Sequence, residues 1–310
     1  MNESKLHNHI YHRSADLTIG GGNKLIVGPG DDCAVYQTPS GEQTLITVDQ
    51  LVEGRHFEPT TSIDLIARKA IARSVSDIAA MGGTPSWSLG TGVLPKDYTH
   101  ANELFDAMHK WTLHWGCPLI GGDIASHASA DHPLTLTVTV GGSMPKDSSP
   151  VLRSGAQPGD ELYLTGQVGG SFASGWHLLF EPRLQAGQWA SANHQQGGVH
   201  AMMDLSDGLG RDADRIAKAS GLIIEIDATK LPISHHITRA NKDWKHAVSE
   251  GEDYELLMCI DPSTTIPSMD PPIQGPIGTC RACKADETPS AIIIDPHGKH
   301  HDASSMGWDH

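Results

Sequence analysis

Residues 44–83 read TLITVDQLVEGRHFEPTTSIDLIARKAIARSVSDIAAMGG, and a change of hydrophobic period inside this stretch decides the fold class. Thr44 to Asp49 is a short apolar run of strand type, with Asp49 expected at its end. From Ser62, an N-cap candidate, apolar residues then recur at Ile63, Ile66, Ala67, Ala70, Ile71, Val75 and Ile78, which is the spacing of one helical face. Gly82-Gly83 and then Pro85 supply the stop, so Asp77 is expected in the last turn. A strand followed at once by a helix points to a mixed αβ chain.

Outward from this stretch, a second helix is predicted from Thr99 to Gly116, with Leu104, Phe105, Met108, Trp111 and Trp115 along one face. Leu134, Leu136, Val138 and Val140 alternate with Thr135, Thr137 and Thr139, the period of a strand with one buried face. The segment Gly141 to Gly159 is rich in Gly, Pro, Ser and charge, which places a domain boundary near Pro150 and gives domains 1–149 and 150–310. Beyond it, strands are predicted at Glu161 to Thr165, Val199 to Leu205, Leu222 to Ile226, Tyr254 to Ile260 and Ala291 to Ile294, with helices between. Mixed elements without a strict βαβ rhythm imply two α+β layers, not a doubly wound sheet.

Composition narrows the function. The 310 residues carry 22 Lys plus Arg against 37 Asp plus Glu, and a net charge of −15 would repel a phosphate polymer, so nucleic acid is not an expected partner. Neither the polar first residues, Met1 to Arg13, nor any other stretch offers a signal peptide or a bilayer span, so no membrane partner and a cytoplasmic location are expected. Five cysteines (Cys33, Cys117, Cys259, Cys280, Cys283), odd in number and mostly isolated, argue against a disulfide framework. Cys280-Arg281-Ala282-Cys283 reads as a surface turn with free thiols, and His297, His300 and His301 as solvated tail residues.

The chemistry lies in carboxylates that fall beside glycines and element ends. Asp31-Asp32 follow Gly28-Pro29-Gly30, Asp123 follows Gly121-Gly122, and Asp204 and Asp207 flank Leu205-Ser206 before Gly208. Two like charges about 4 Å apart cost about 4 kcal/mol at an effective dielectric of 20, so a convergence of these groups calls for cations. Mg²⁺, which takes hard oxygen ligands and bridges carboxylates to phosphates, is the natural one. Ser206-Asp207-Gly208 is a turn opening onto a helix, a setting whose backbone amides suit an anion. No Walker A lysine loop, dinucleotide fingerprint or Gly-x-Ser-x-Gly elbow is present.

These segments occur in a familiar order: Gly30-Asp31-Asp32-Cys33-Ala34, then Thr47-Val48-Asp49 through His56-Phe57, Ser76-Asp77-Ile78-Ala79-Ala80-Met81-Gly82, Gly121-Gly122-Asp123, Arg153-Ser154-Gly155-Ala156, Asp204-Leu205-Ser206-Asp207-Gly208, Gly251-Glu252-Asp253-Tyr254-Glu255 and Gly307-Trp308-Asp309-His310. In this set the chain resembles the thiamine-monophosphate kinase family of the aminoimidazole-ribonucleotide-synthetase superfamily. The resemblance implies a homodimer in which the N-terminal domain sheets pair, and a C-terminal α/β domain that closes the active-site cleft. It implies direct transfer of the ATP γ-phosphoryl group to thiamine monophosphate, with no residue acting as nucleophile or strong general base. Asp32, Asp49, Asp77, Asp123, Asp204 and Asp207 are then the expected ligands of several Mg²⁺ ions, with Thr47 and the Val48 backbone as further oxygen candidates and a monovalent cation as a further ion. Gly122, Asp123, Arg153 and Ser206 are expected at ATP, and His56, Glu252 and Trp308 at the thiamine phosphate. Glu250 stands where the family has a glycine, and would be strained if that backbone needs a positive φ. The competing reading, a non-catalytic phosphate-binding protein, would not need all six carboxylates.

Overall fold

Three antiparallel strands, β1 (Lys24–Val27), β2 (Ala34–Gln37) and β3 (Gln43–Val52), open the first of two sheets. The protein is described from a computed structural model, over residues 9–10, 18–146, 148–239 and 243–308. β3 does not stop at Asp49, because Asp49 pairs with Val138 and Leu51 with Leu136 on a neighbouring strand. Asp49 therefore projects from mid-strand. Helix α1 (Ile63–Ala80) follows, with Ser62 as its N-cap residue, and Asp77 lies in its last turn as predicted. Its apolar stripe of Ile66, Ala67, Ala70, Ile71, Val75 and Ile78 is buried, and each large side chain there contributes about 1.5–3 kcal/mol. At the stop, Gly82 has φ 78° and a Cβ would come within 2.4 Å of the Ser191 Cβ, so glycine is needed twice over.

β4 (Thr84–Leu94), α2 (Ala101–His114), β5 (Leu119–Ser126) and β6 (Thr135–Ser143) complete a six-stranded sheet of order β1-β2-β3-β6-β4-β5. Only β4 and β5 run parallel within it. Both are absent from the sequence reading, which has Gly121-Gly122 only as the glycines before Asp123. The glycines there serve close strand contact: a Cβ on Gly122 would lie 1.8 Å from the Gly90 carbonyl oxygen. Likewise Gly141, read as linker, belongs to β6, where a Cβ would meet the Trp87 ring at 2.1 Å.

The second sheet contains β7 (Glu161–Leu164), β8 (Val199–Asp204), β9 (Leu222–Asp227), β10 (Leu256–Ile260), β11 (Gln274–Ala282), β12 (Ser290–Ile294) and β13 (His300–Asp302), ordered β13-β12-β9-β11-β7-β10-β8. Helices α3 (Ser171–Ser174), α4 (Leu184–His194), α5 (Leu209–Ser220), α6 (His235–Arg239) and α7 (Trp244–Ser249) lie among these strands in sequence. Five of the strands match the predicted segments; β11 escapes prediction because Gly275, Pro276 and Gly278 give it a loop-like composition. Two smaller readings change with it. Cys280 is buried in β11, not in a surface turn, and His301 belongs to β13, where it pairs with Asp295 at 2.9 Å instead of trailing in solvent. The described cysteines are all unpaired. Mixed sheets with helices on them make the predicted two-layer α+β architecture. α1 packs on β3 and β6 of the first sheet and on α4 and β8 of the second half, so one helix joins the two. No described helix is long and apolar enough to cross a membrane.

Candidate active site

Three carboxylates from three elements meet where α1 touches the second sheet. Asp32 stands just before β2, Asp77 in the last turn of α1 and Asp204 at the end of β8, and one ligand atom of each lies within 4.8 Å of the others. Ser76 Oγ donates to Asp204 Oδ2 at 2.6 Å, and the Thr47 hydroxyl donates to Asp77. Asp32 Oδ2 is buried without a hydrogen-bond partner. Burial first, and then the charges of Asp49, Asp204 and Asp32, push the Asp77 carboxyl well above its ordinary range. Burial and Asp32 do the same to Asp204. An all-oxygen donor set with one orphaned lone-pair atom and crowded carboxylates fits a hard divalent cation.

The same cavity, about 970 Å³, is lined further by Thr47, Val48, Asp49 and Asp207 and by Arg73, Arg153 and Arg215. Arg153 donates to Asp32, through Nε at 3.2 Å and through a second short bond. Asp49 faces Arg73 at 3.3 Å, and Arg215 pairs with Asp207. Arginines thus balance carboxylates around a space with the donors to grip phosphate oxygens. The expected amide cradle at Ser206-Asp207-Gly208 is already occupied: the Asp212 carboxylate accepts from the Asp207 and Gly208 amides at 3.1 and 3.2 Å. An anion there would meet the cationic side chains instead. Gly122 and Asp123 stand apart on β5, at the far edge of the first sheet, exposed and outside this cavity. Asp123 lies within a strand and not beside a turn.

His56, Glu252 and Trp308 do come together, with Arg55, Phe172, Ala173, Ser206, Glu250 and Gly251, around a second, mostly apolar pocket of about 260 Å³. His56 Nδ1 accepts from the Val52 amide at 2.9 Å, which fixes its ring. Trp308 is 42% exposed with the Arg55 guanidinium 5.8 Å from its ring centroid, so it is a pocket wall and not a core plug. Asp309 and His310 of the same motif lie outside the described residues. Glu250 is relaxed at φ −78°; the positive φ falls on Glu252 (66°) and Tyr254 (52°). The Glu252 carboxylate pairs with Lys69 and lies 3.3 Å from His177 Nδ1. Burial works to raise its pKa, but the charges of Lys69 and Arg73 and the hydrogen bond from Lys69 win and hold it at about 2. The two cavities share Ser206 and Glu252 in their linings, so the apolar pocket adjoins the charged one there. Sequence reasoning missed Arg55, Phe172, His177 and Lys69. Lys69 left one signal, a charged residue within three positions of Ile66, Ala67, Ala70, Ile71 and Ala72 on a helix whose stripe is buried.

The family profile "AIR synthase related protein, N-terminal domain" matches residues 30–144, and its C-terminal counterpart matches residues 157–264. A thiamine-monophosphate kinase of Rhodopirellula baltica is 37% identical over 254 residues, covering 77% of each chain. One from Bacillus subtilis is 34% identical over 273 residues, covering 80% of this chain and 78% of that protein. A solved structure described as AaThiL complexed with AMPPCP and TMP superposes with a TM-score of 0.78 at 28% identity, covering 100% of this chain and 97% of the other. The HypE–HypF complex matches at 15% identity with a TM-score of 0.72, a likeness of fold alone.

Proposed function

The chain belongs to the thiamine-monophosphate kinase family of AIR synthase related proteins and is a kinase, and from that premise we propose that it transfers the γ-phosphoryl group of ATP in one in-line step to the phosphate of thiamine monophosphate. One observation carries this reading: an apolar, tryptophan-walled pocket adjoins, at Ser206 and Glu252, a cavity of carboxylates and arginines. The first suits a flat organic cation, the second a polyphosphate. The related AaThiL structure, which carries AMPPCP and TMP, supports a two-substrate site.

In this scheme the bond between the γ-phosphorus and the bridging oxygen of ATP breaks, ADP keeps that electron pair, and a substrate phosphate oxygen forms the new bond. That oxygen is already anionic, so no side chain need remove a proton. Asp32, Asp49, Asp77, Asp204 and Asp207, with Thr47 and the Val48 carbonyl, would hold Mg²⁺, which supplies positive charge against the carboxylates and phosphates. Arg153 and Ser206 line the charged cavity and would bind ATP; His56 and Trp308 would orient the thiamine group. Gly122 and Asp123 reach a nucleotide only if a second copy docks on the β5 edge, where Ile120 and Ile124 are exposed. A homodimer is therefore part of the proposal, as are the division into domains 1–149 and 150–310 and a cytoplasmic location. The test is purified protein with thiamine monophosphate, ATP and Mg²⁺, with thiamine diphosphate followed by chromatography and aminoimidazole-pathway substrates and selenide as controls. Absence of thiamine diphosphate, or a phosphorylated protein formed with ATP alone, would reject the scheme.

A further inference from the structure

Phosphoryl transfer as written gives the buried Lys69 no task. Lys69, in the middle of α1, is fully buried, and a buried ammonium persists only where its donors are satisfied. It has three donors and uses all three. It donates to the His56 carbonyl oxygen at 2.6 Å, to His177 Nδ1 at 2.7 Å, and to Glu252 Oε2. These partners sit on three separate segments: the turn after β3, the 3₁₀ turn Trp176–Leu178 that follows α3, and the loop before β10. Each segment contributes to the wall of the apolar pocket. His56 and Glu252 line it directly, and His177 stacks on the pocket residue Phe172 with ring centroids 4.3 Å apart and planes 16° apart. The Lys69 ammonium itself lies 5.9 Å from the Phe172 ring centroid.

We propose that Lys69 is a positioning residue for the thiamine-phosphate pocket, a single buried ammonium that ties its three walls together and so sets Glu252 and Phe172 in place for the substrate. The inference rests on the kinase reading of that pocket. Two features of the walls call for such a tie. Glu252 is held at φ 66°, a conformation a non-glycine residue keeps only when its surroundings fix it. The Phe172 segment is a four-residue turn of helix bounded by Gly170 and Gly175, at φ 80° and 77°, too short to hold its own position. Because Lys69 is sealed from the pocket, it acts on the ligand only through these residues. It also changes what Glu252 offers: its charge is already compensated, so it serves as an oriented hydrogen-bond acceptor and not as a lone anion.

The test compares wild type with Lys69→Met, Lys69→Gln, Glu252→Gln and the Lys69→Met/Glu252→Gln double variant, measuring kcat, both KM values and calorimetric binding of thiamine monophosphate without ATP. The expected result is a rise of about tenfold or more in KM and Kd for thiamine monophosphate, with kcat and the KM for ATP within about threefold. The Lys69 and Glu252 effects should multiply to more than the double variant shows, since they act on one unit. Lys69→Gln, which keeps amide donors, serves if Lys69→Met does not fold. A stabilising role alone predicts a lower Tm with KM unchanged. A folded Lys69 variant whose thiamine monophosphate KM stays within about twofold of wild type, or fully multiplicative effects, overturns the positioning role and leaves the kinase reading intact. Wild type without turnover of thiamine monophosphate overturns the kinase reading and this role with it.

Discussion

Asp77 is a carboxylate the protein holds at a cost, crowded by Asp49, Asp204 and Asp32 in a buried corner. Asp77→Asn should therefore leave the melting temperature of the metal-free protein unchanged or higher, yet lower Mg²⁺-dependent turnover at least about tenfold. Near-normal activity at limiting Mg²⁺ would remove Asp77 from the ligand set. Trp308 presents the opposite balance. Being 42% exposed, it contributes little to packing, so Trp308→Ala should raise the KM for thiamine monophosphate with a Tm change of only about 1–2 °C, while kcat and the KM for ATP hold. A large Tm drop with unchanged KM would instead assign Trp308 a packing role. Lys69 gives a pH dependence. Burial, aided by Arg73 and opposed by Glu252, lowers its pKa from 10.5 to about 8. Of the groups that face it, Glu252 is ionised from about pH 2, burial lowers the pKa of His177, and Arg73 stays charged, so Lys69 alone changes charge near pH 8. Affinity for thiamine monophosphate should fall as pH rises through about 8. Over the window from about 8 to 10.5 the unfolded chain binds more protons, so this group makes folding stability rise with pH while affinity falls. Calorimetric titrations and melts across pH 7 to 10 separate the two trends; a parallel loss of both would sink the assignment. Asp32, Asp77 and Asp204 were legible in sequence because they flank element ends. Lys69 and Phe172 were not, because a helical lysine reads as solvated until the segments that cover it are folded over it.

Strands β4 and β5 show where composition misleads at the scale of elements. Gly121 and Gly122 read as glycines flanking Asp123, yet they belong to a strand, and for Gly122 only the parallel partner strand, at Gly90, supplies the reason. Gly122→Ala would drive a Cβ toward the Gly90 carbonyl at 1.8 Å. It should destabilise the sheet by about 1–3 kcal/mol, visible as a lower urea midpoint, and an unchanged midpoint would show that the edge gives way freely. The periodic elements were legible: α1, α2 and β6 carry their faces in their own sequence, Ile66 to Ile78 in one case and Leu136 to Val140 in the other. The register that puts Asp49 opposite Val138 is tertiary and was not.

At the scale of the molecule, the mixed elements of both halves made the two-layer architecture legible, whereas the place of Asp123 depends on a surface that a single chain leaves open. Ile120 and Ile124, 64% and 55% exposed on the β5 edge, are the residues a second copy would cover. Ile120→Glu with Ile124→Glu should convert a dimer to a monomer in light scattering and abolish turnover. A variant that stays dimeric, or a monomer that stays active, would place the interface or Asp123 elsewhere. The meeting of the two cavities at Ser206 and Glu252 also bears on inhibition. A single compound that joins an aromatic cation to a nucleoside polyphosphate through a short tether would present its second half at millimolar effective concentration once the first is seated. Its affinity should therefore exceed that of either half alone, and the best tether length would measure, in solution, the gap across which the phosphoryl group must pass.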